Sequence, residues 1–161
     1  MEDETITRPG DAVPTDPREL DYLYKEADRI YYGFARRCGL STCAYWMMYD
    51  IERAGGAMAL RSLTDSWAFS KQTINSAIKS LEAKGLIELT FEEGSRKNKV
   101  ASFTGEGQAF AARYIAPAQQ AERRAFCALP AQDRIALLAL AREYTQALSE
   151  EFERTEFTTD A

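Results

Sequence analysis

The chain has 161 residues, 45% of them hydrophobic and 28% charged, which suits one domain with a packed core and extensions. Its longest uninterrupted apolar stretch, residues 135–141, falls far short of the roughly 20 residues a membrane span needs, so no membrane association is expected. No histidine is present, and the three cysteines (Cys38, Cys43, Cys127) form no C-x-x-C pair, so a disulfide framework, a closed zinc site, a cofactor and an enzymatic centre are not expected.

The net charge of −5 is unevenly distributed. Acids dominate both ends: Glu2, Asp3, Glu4, Asp11, Asp16 and Glu19 at one, Glu150, Glu151, Glu153, Glu156 and Asp160 at the other. Between residues 61 and 99 the bases Arg61, Lys71, Lys79, Lys84, Arg96, Lys97 and Lys99 outnumber the acids. A phosphate backbone would meet this local surface rather than the global charge. The N-terminus lacks the apolar stretch of a signal peptide, and the expected location is the cytoplasm.

Residues 1–16 are polar, carry Pro9 and Pro14, and are expected to be disordered. From Leu20 apolar residues recur at helical spacing through Leu23, Ala27, Ile30, Phe34 and Cys38, where Gly39 ends a first helix. Ser41 is a suitable N-cap for a second, closed by Gly55 and Gly56. A short helix over 61–67, a tight turn and a helix over 70–84 follow, with Ser70 as N-cap and Gly85 after the last turn. Residues 86–91 alternate as a strand, 92–98 form a charged hairpin tip, and 100–103 return as the second strand.

After Thr104 the chain is helical. Phe110, Tyr114, Ala118, Ala121, Ala125 and Leu129 form the expected buried stripe, and Pro117 is expected to kink it at about 3 kcal/mol. A last helix after Pro130 repeats Ile135, Leu138, Ala141, Tyr144, Leu148 and Phe152. The expected organisation is thus a disordered segment 1–16, N-terminal helices 17–54, a winged helix-turn-helix 55–104, C-terminal helices 105–153 and a frayed tail 154–161. The fold class is mainly α with a small β-hairpin wing.

The helix over 70–84 carries the functional argument. Ile74, Ala77, Ile78 and Leu81 form its buried stripe, which leaves Lys71, Gln72, Asn75, Ser76 and Lys79 on the other face. Such side chains suit base edges and phosphates, and a helix presenting them fits a major groove about 12 Å wide. The candidate DNA-contacting residues are this face together with Ser70 and Thr73 of the S-K-Q-T opening (Ser70, Lys71, Gln72, Thr73, Asn75, Ser76 and Lys79) and Arg96, Lys97 and Lys99 at the wing, a solvated polar face and loop being the alternative reading. The partner is double-stranded DNA.

The run LTDSWAFSKQTINSAIKSLEAKGLIEL followed by GSRKNKVASFTGEG closely resembles the MarR family of bacterial regulators. The resemblance covers roughly residues 20–153 and is strongest over 63–107. Its marks are S-K-Q-T at Ser70 to Thr73, L-E-x-K-G-L-I at Leu81 to Ile87 and T-x-x-G at Thr104 to Gly107. It implies an effector-responsive repressor that binds a near-palindromic operator as a homodimer, its first and last two helices interlocked across the two-fold axis.

Two positions depart from the family pattern. Ser95 and Lys97 stand where the wing usually carries an Asp-x-Arg pair, which implies a looser tip or a different phosphate contact. Ala59 stands near the hydroxyl N-cap of the short helix, a loss of about 1 kcal/mol.

The resemblance also implies a small aromatic or amphipathic effector, for which Tyr31, Tyr45, Trp46 and Tyr49 are candidates, although a stripe of this kind also serves as plain core. Some family members sense peroxides with one cysteine, and Cys43, just inside a helix whose N-terminal field can lower a thiol pKa, is the redox candidate, with a buried inert cysteine as the alternative reading. A thiol-based sensor and a winged-helix module for protein contact are the alternative readings.

Overall fold

The computed structural model describes residues 13–65 and 68–155. Residues 1–12 of the expected disordered segment, Trp67 at the end of the expected short helix, and residues 156–161 of the expected frayed tail lie outside the described residues.

Helix α1 (Arg18–Arg37) ends where Gly39 follows and the Leu40 amide donates back to the Ala35 carbonyl at 2.9 Å. Ser41 caps α2 (Thr42–Arg53), its hydroxyl accepting from the Ala44 amide at 3.2 Å. Strand β1 (Ala57–Ala59) runs directly into α3 (Leu60–Asp65), and α4 (Lys71–Ala83) follows. Strands β2 (Ile87–Phe91) and β3 (Lys99–Phe103) form the hairpin. Helix α5 (Gly105–Phe110) passes through a π turn (Ala111–Ile115) into α6 (Ala116–Cys127), and α7 (Ala131–Arg154) closes the chain.

The sheet has three strands where the sequence suggested two. Its order is β1-β3-β2, all antiparallel, with Ala57 opposite Ser102 and Ile87 opposite Phe103. Three residues, Ala-Met-Ala, are too short to show a period, and β1 exists because its backbone pairs with β3 some forty residues away. That pairing also accounts for Ala59. It is held opposite Val100, so the entry to α3 is fixed by a strand.

The core lies in the winged module and α2. Met47, Met48 and Ile51 of α2 meet Ile74, Ala77, Ile78 and Leu81 of α4, with Leu63, Leu86, Ile87, Ala101 and Phe103 around them. The long C-terminal helix expected to bury Phe110, Tyr114 and Ala118 is turned by one residue. Gly107, Ala111 and Ile115 face the core; Phe110, Tyr114 and Ala118 are half-buried, and Ala121, Ala125 and Leu129 are exposed.

Thr104 and Gly107 set that rotation. The Thr104 hydroxyl donates to the Gly85 carbonyl at 2.5 Å and accepts from the Gly107 amide at 2.9 Å. A Cβ on Gly107 would stand 1.8 Å from the Leu86 carbonyl oxygen, so only glycine lets α5 approach the start of the wing.

Pro117 is accommodated by the π turn immediately before α6. A proline lacks the N–H of a regular turn and crowds the carbonyl four residues back, and a locally widened turn relieves both.

Candidate nucleic-acid interface

Helix α4 shows how one sequence serves both core and surface. Its buried stripe is the one its spacing predicts, and Lys71, Gln72, Thr73, Asn75, Ser76 and Lys79 are all exposed. The Ser70 hydroxyl accepts from the Thr73 amide at 3.1 Å and lies 2.9 Å from the Thr73 hydroxyl. Ser70 and Thr73 thus fix the start of the helix, while Lys71, Gln72, Asn75, Ser76 and Lys79 make up a face with two cations and no large apolar group.

The wing tip is closed by hydrogen bonds. The Ser95 hydroxyl accepts from the amides of Lys97 (3.2 Å) and Asn98 (2.9 Å), and the Asn98 side chain donates to Glu92 at 3.1 Å. The Ser95 amide donates to the Glu92 carbonyl, and the Glu92 amide to the Asn98 carbonyl, each at 2.9 Å. The expectation of a looser tip is therefore corrected. A serine hydroxyl supplies a capping acceptor without the carboxylate's charge. Arg96, Lys97 and Lys99 are exposed along this loop, and the Lys99 ammonium lies 5.7 Å from the centre of the Phe91 ring.

The four effector candidates come together, though not as an open pocket. The ring centres of Tyr31 and Trp46 lie 4.6 Å apart in a tilted contact, and Tyr45 and Tyr49 meet Trp46 edge to face at 5.3 and 5.2 Å. Tyr45 is 1% exposed and belongs to the core. Both outer tyrosines converge on Glu122 of α6: Tyr31 donates to its Oε1 and Tyr49 to its Oε2, each at 2.5 Å. One turn away the Gln119 side chain donates to the Tyr49 carbonyl at 3.0 Å.

Beside this cluster lies a cleft of about 840 Å³ lined by Tyr49, Arg53, Gln119, Glu122, Arg123 and Phe126, among others. Of the four aromatic candidates, Tyr49 alone lines it. Gln119, Glu122 and the two arginines were not found from sequence. They sit on polar stretches of helix, and nothing local in α6 marks a contact with a tyrosine 73 or 91 positions away.

The hydroxyls of this cluster hold their protons tightly. Burial, then the hydrogen bond to Glu122, raises the pKa of Tyr31. Tyr49 moves the same way for the same reasons, opposed by Arg53. Tyr45 is pushed up to about 12, chiefly by burial. Cys43, expected to have a lowered thiol pKa, is 3% exposed, and burial pushes its thiol up instead. Cys127 is the exposed cysteine, with the Arg134 guanidinium donating to its sulfur at 3.2 Å.

The fold finds clear counterparts among solved structures. The MarR family regulator NMB1585 of Neisseria meningitidis superposes with a TM-score of 0.72 over 87% of this chain and 98% of its own, at 19% identity. The fold is that of the MarR regulators. A mutant MarR from Escherichia coli, complexed with operator DNA, matches at 0.60 over 80% of this chain and 91% of its own, at 15% identity. BpsR of Bordetella bronchiseptica, whose DNA binding is regulated by 6-hydroxynicotinic acid, matches at 0.59 over 83% of this chain and 98% of its own, at 18% identity. No family model matches the chain, and no curated protein matches it in sequence. In this fold α4 and the β2–β3 hairpin lie side by side in the winged module.

Proposed function

We propose that this protein is a sequence-specific DNA-binding transcriptional regulator, a homodimeric repressor whose hold on a near-palindromic operator responds to an effector. The outward face of α4 carries this reading. Lys71, Gln72, Asn75, Ser76 and Lys79 are exposed on a helix anchored by four buried apolar residues and flanked by a wing with three cations. Polar side chains there would read base edges while lysines and the wing fix register on phosphates. A winged-helix module for protein contact would expose aromatic anchors on that face, and none is present.

Two further observations support the finer parts of the proposal. Helices α6 and α7 bury no side chain within one chain, and Ile135, Leu138, Leu148 and Phe152 lie exposed along α7. A second copy would cover them, as an isologous dimer does. The cleft beside Glu122 offers room and mixed polarity for a small effector. Among the described residues no helix is long and apolar enough to cross a membrane. We assign the protein to the cytoplasm and not to the enzymes on the same reading.

Fluorescence anisotropy of the purified protein on its own upstream DNA, against random DNA and across a salt series, tests the proposal. Sequence-preferring binding with a steep salt slope is expected. Lys71→Ala should weaken it about tenfold, and Arg96→Ala should reduce the slope by about one. Equal, weak binding to every genomic fragment would overturn it.

A further inference from the structure

The C-terminal arm is joined to the rest of the molecule in an unusual way. Helix α6 follows a π turn and carries Pro117 as its second residue, so the regular hydrogen-bond ladder is interrupted at its start, and it contributes no buried residue to the core. Apolar burial ends at Ala111 and Ile115 of the π turn, and beyond it no buried side chain of α6 or α7 holds the arm at a set angle against α1 and α2. Three side-chain hydrogen bonds reach across instead. Glu122 accepts from Tyr31 of α1 and Tyr49 of α2, and Gln119, three residues earlier on the same helix, donates to the Tyr49 carbonyl. Helix α2 in turn packs directly on α4.

We propose that Glu122 is a positioning residue for DNA recognition: by holding Tyr31 and Tyr49 with one carboxylate, it fixes the arm against α1 and α2. That angle sets the separation at which two copies present their α4 helices. The proposal rests on the reading of the protein as a dimeric DNA-binding regulator. The chemistry suits the task. A half-buried carboxylate accepting two phenolic protons makes charge-assisted bonds, short and directional, which fix an angle better than a sliding apolar contact. The lock also borders the cleft lined by Arg53 and Arg123, so a molecule bound there would lie against the groups that hold the angle.

Tyr31→Phe, Tyr49→Phe and the double variant test this in the full-length chain, since each keeps its ring and loses only the hydroxyl. Glu122→Gln is the companion, and thermal melts confirm that each variant folds. Two readouts are taken. The first is affinity for operator duplexes whose half-sites are moved apart or together by one base pair; two-fold binders are sensitive to this spacing. Wild type is expected to prefer its own spacing by about tenfold, and the double variant to retain less than about threefold, with affinity for random DNA unchanged. The second is hydrogen exchange of the free protein, in which amides of α6 after Pro117 should exchange faster in the variants while those of α4 stay protected. Unchanged spacing preference with unchanged α6 exchange would overturn the proposal. If wild type prefers no DNA at all, the regulator reading fails and this role with it, while exchange still reports whether Glu122 holds the arm. Faster α6 exchange with intact spacing preference would show a structural brace only and would overturn the positioning role.

Discussion

At the scale of single residues, two features carry more than their size suggests. Gly107 sits where a Cβ would stand 1.8 Å from the Leu86 carbonyl, and the clash is with backbone, which cannot swing aside. Gly107→Ala should therefore destabilise the fold by about 3 kcal/mol, read as a lower midpoint in urea unfolding. The tyrosine cluster makes a second prediction. Tyr31, Tyr45 and Tyr49 have folded-state pKa values raised above the usual 10.0, through burial and the nearby Glu122, so the folded chain keeps protons that the unfolded chain releases. The stability they confer is full below pH 10 and is lost as the pH rises towards about 12, the value for Tyr45. Melting temperature should fall through that window, with tyrosinate absorbance appearing together with unfolding. In Tyr45→Phe the fall should be shallower; a melting temperature flat to pH 12 would contradict the assignment. Glu122 itself was invisible in the sequence because its role is defined by partners on two other helices.

The wing and helix α4 show how elements depend on local chemistry. In α4 the hydroxyl cap, the i, i+3, i+4 apolar stripe and the glycine after the last turn are sequence-local, and the structure follows them closely. The wing's strands were legible too, but its tip was not. Ser95 in place of a carboxylate suggested a loose loop, yet its hydroxyl accepts two backbone amides and Asn98 bonds Glu92 across the hairpin. Ser95→Ala should leave global stability nearly unchanged because the tip is exposed. It should also weaken operator binding about threefold to tenfold by freeing Arg96 and Lys97. Matched melts and anisotropy titrations separate the two effects. Strand β1 escaped notice for the opposite reason: three small residues carry no pattern, and only the partner strand makes them a strand.

For the whole molecule, the telling feature is an arm of two helices with no buried side chain. Ile135 is 63% and Phe152 64% exposed, with Leu138 and Leu148 between them. Burying such side chains contributes about 1.5–3 kcal/mol each, and a two-fold interface counts every residue twice. In the homodimer proposed above, Leu148→Asp and Phe152→Asp should therefore raise the dissociation constant by about a hundredfold or more, as sedimentation would read it. Operator affinity should fall with it while the helical circular dichroism of the monomer persists. A variant that stays dimeric would mean that the second copy sits elsewhere.

By itself the sequence determined what depends on near neighbours: helix caps, the polar outer face of α4, hairpin strands and the T-x-x-G turn. In each of these the decisive contacts lie within a few residues along the chain. Tertiary structure decided what depends on distant partners. It brought β1 to β3, turned Gly107, Ala111 and Ile115 inward in place of Phe110 and Tyr114, buried Cys43, and gathered Tyr31, Tyr49 and Glu122 at one point. Two overlapping apolar stripes run along one helix, and the Thr104 hydrogen bonds with the close approach of Gly107 to Leu86 select between them.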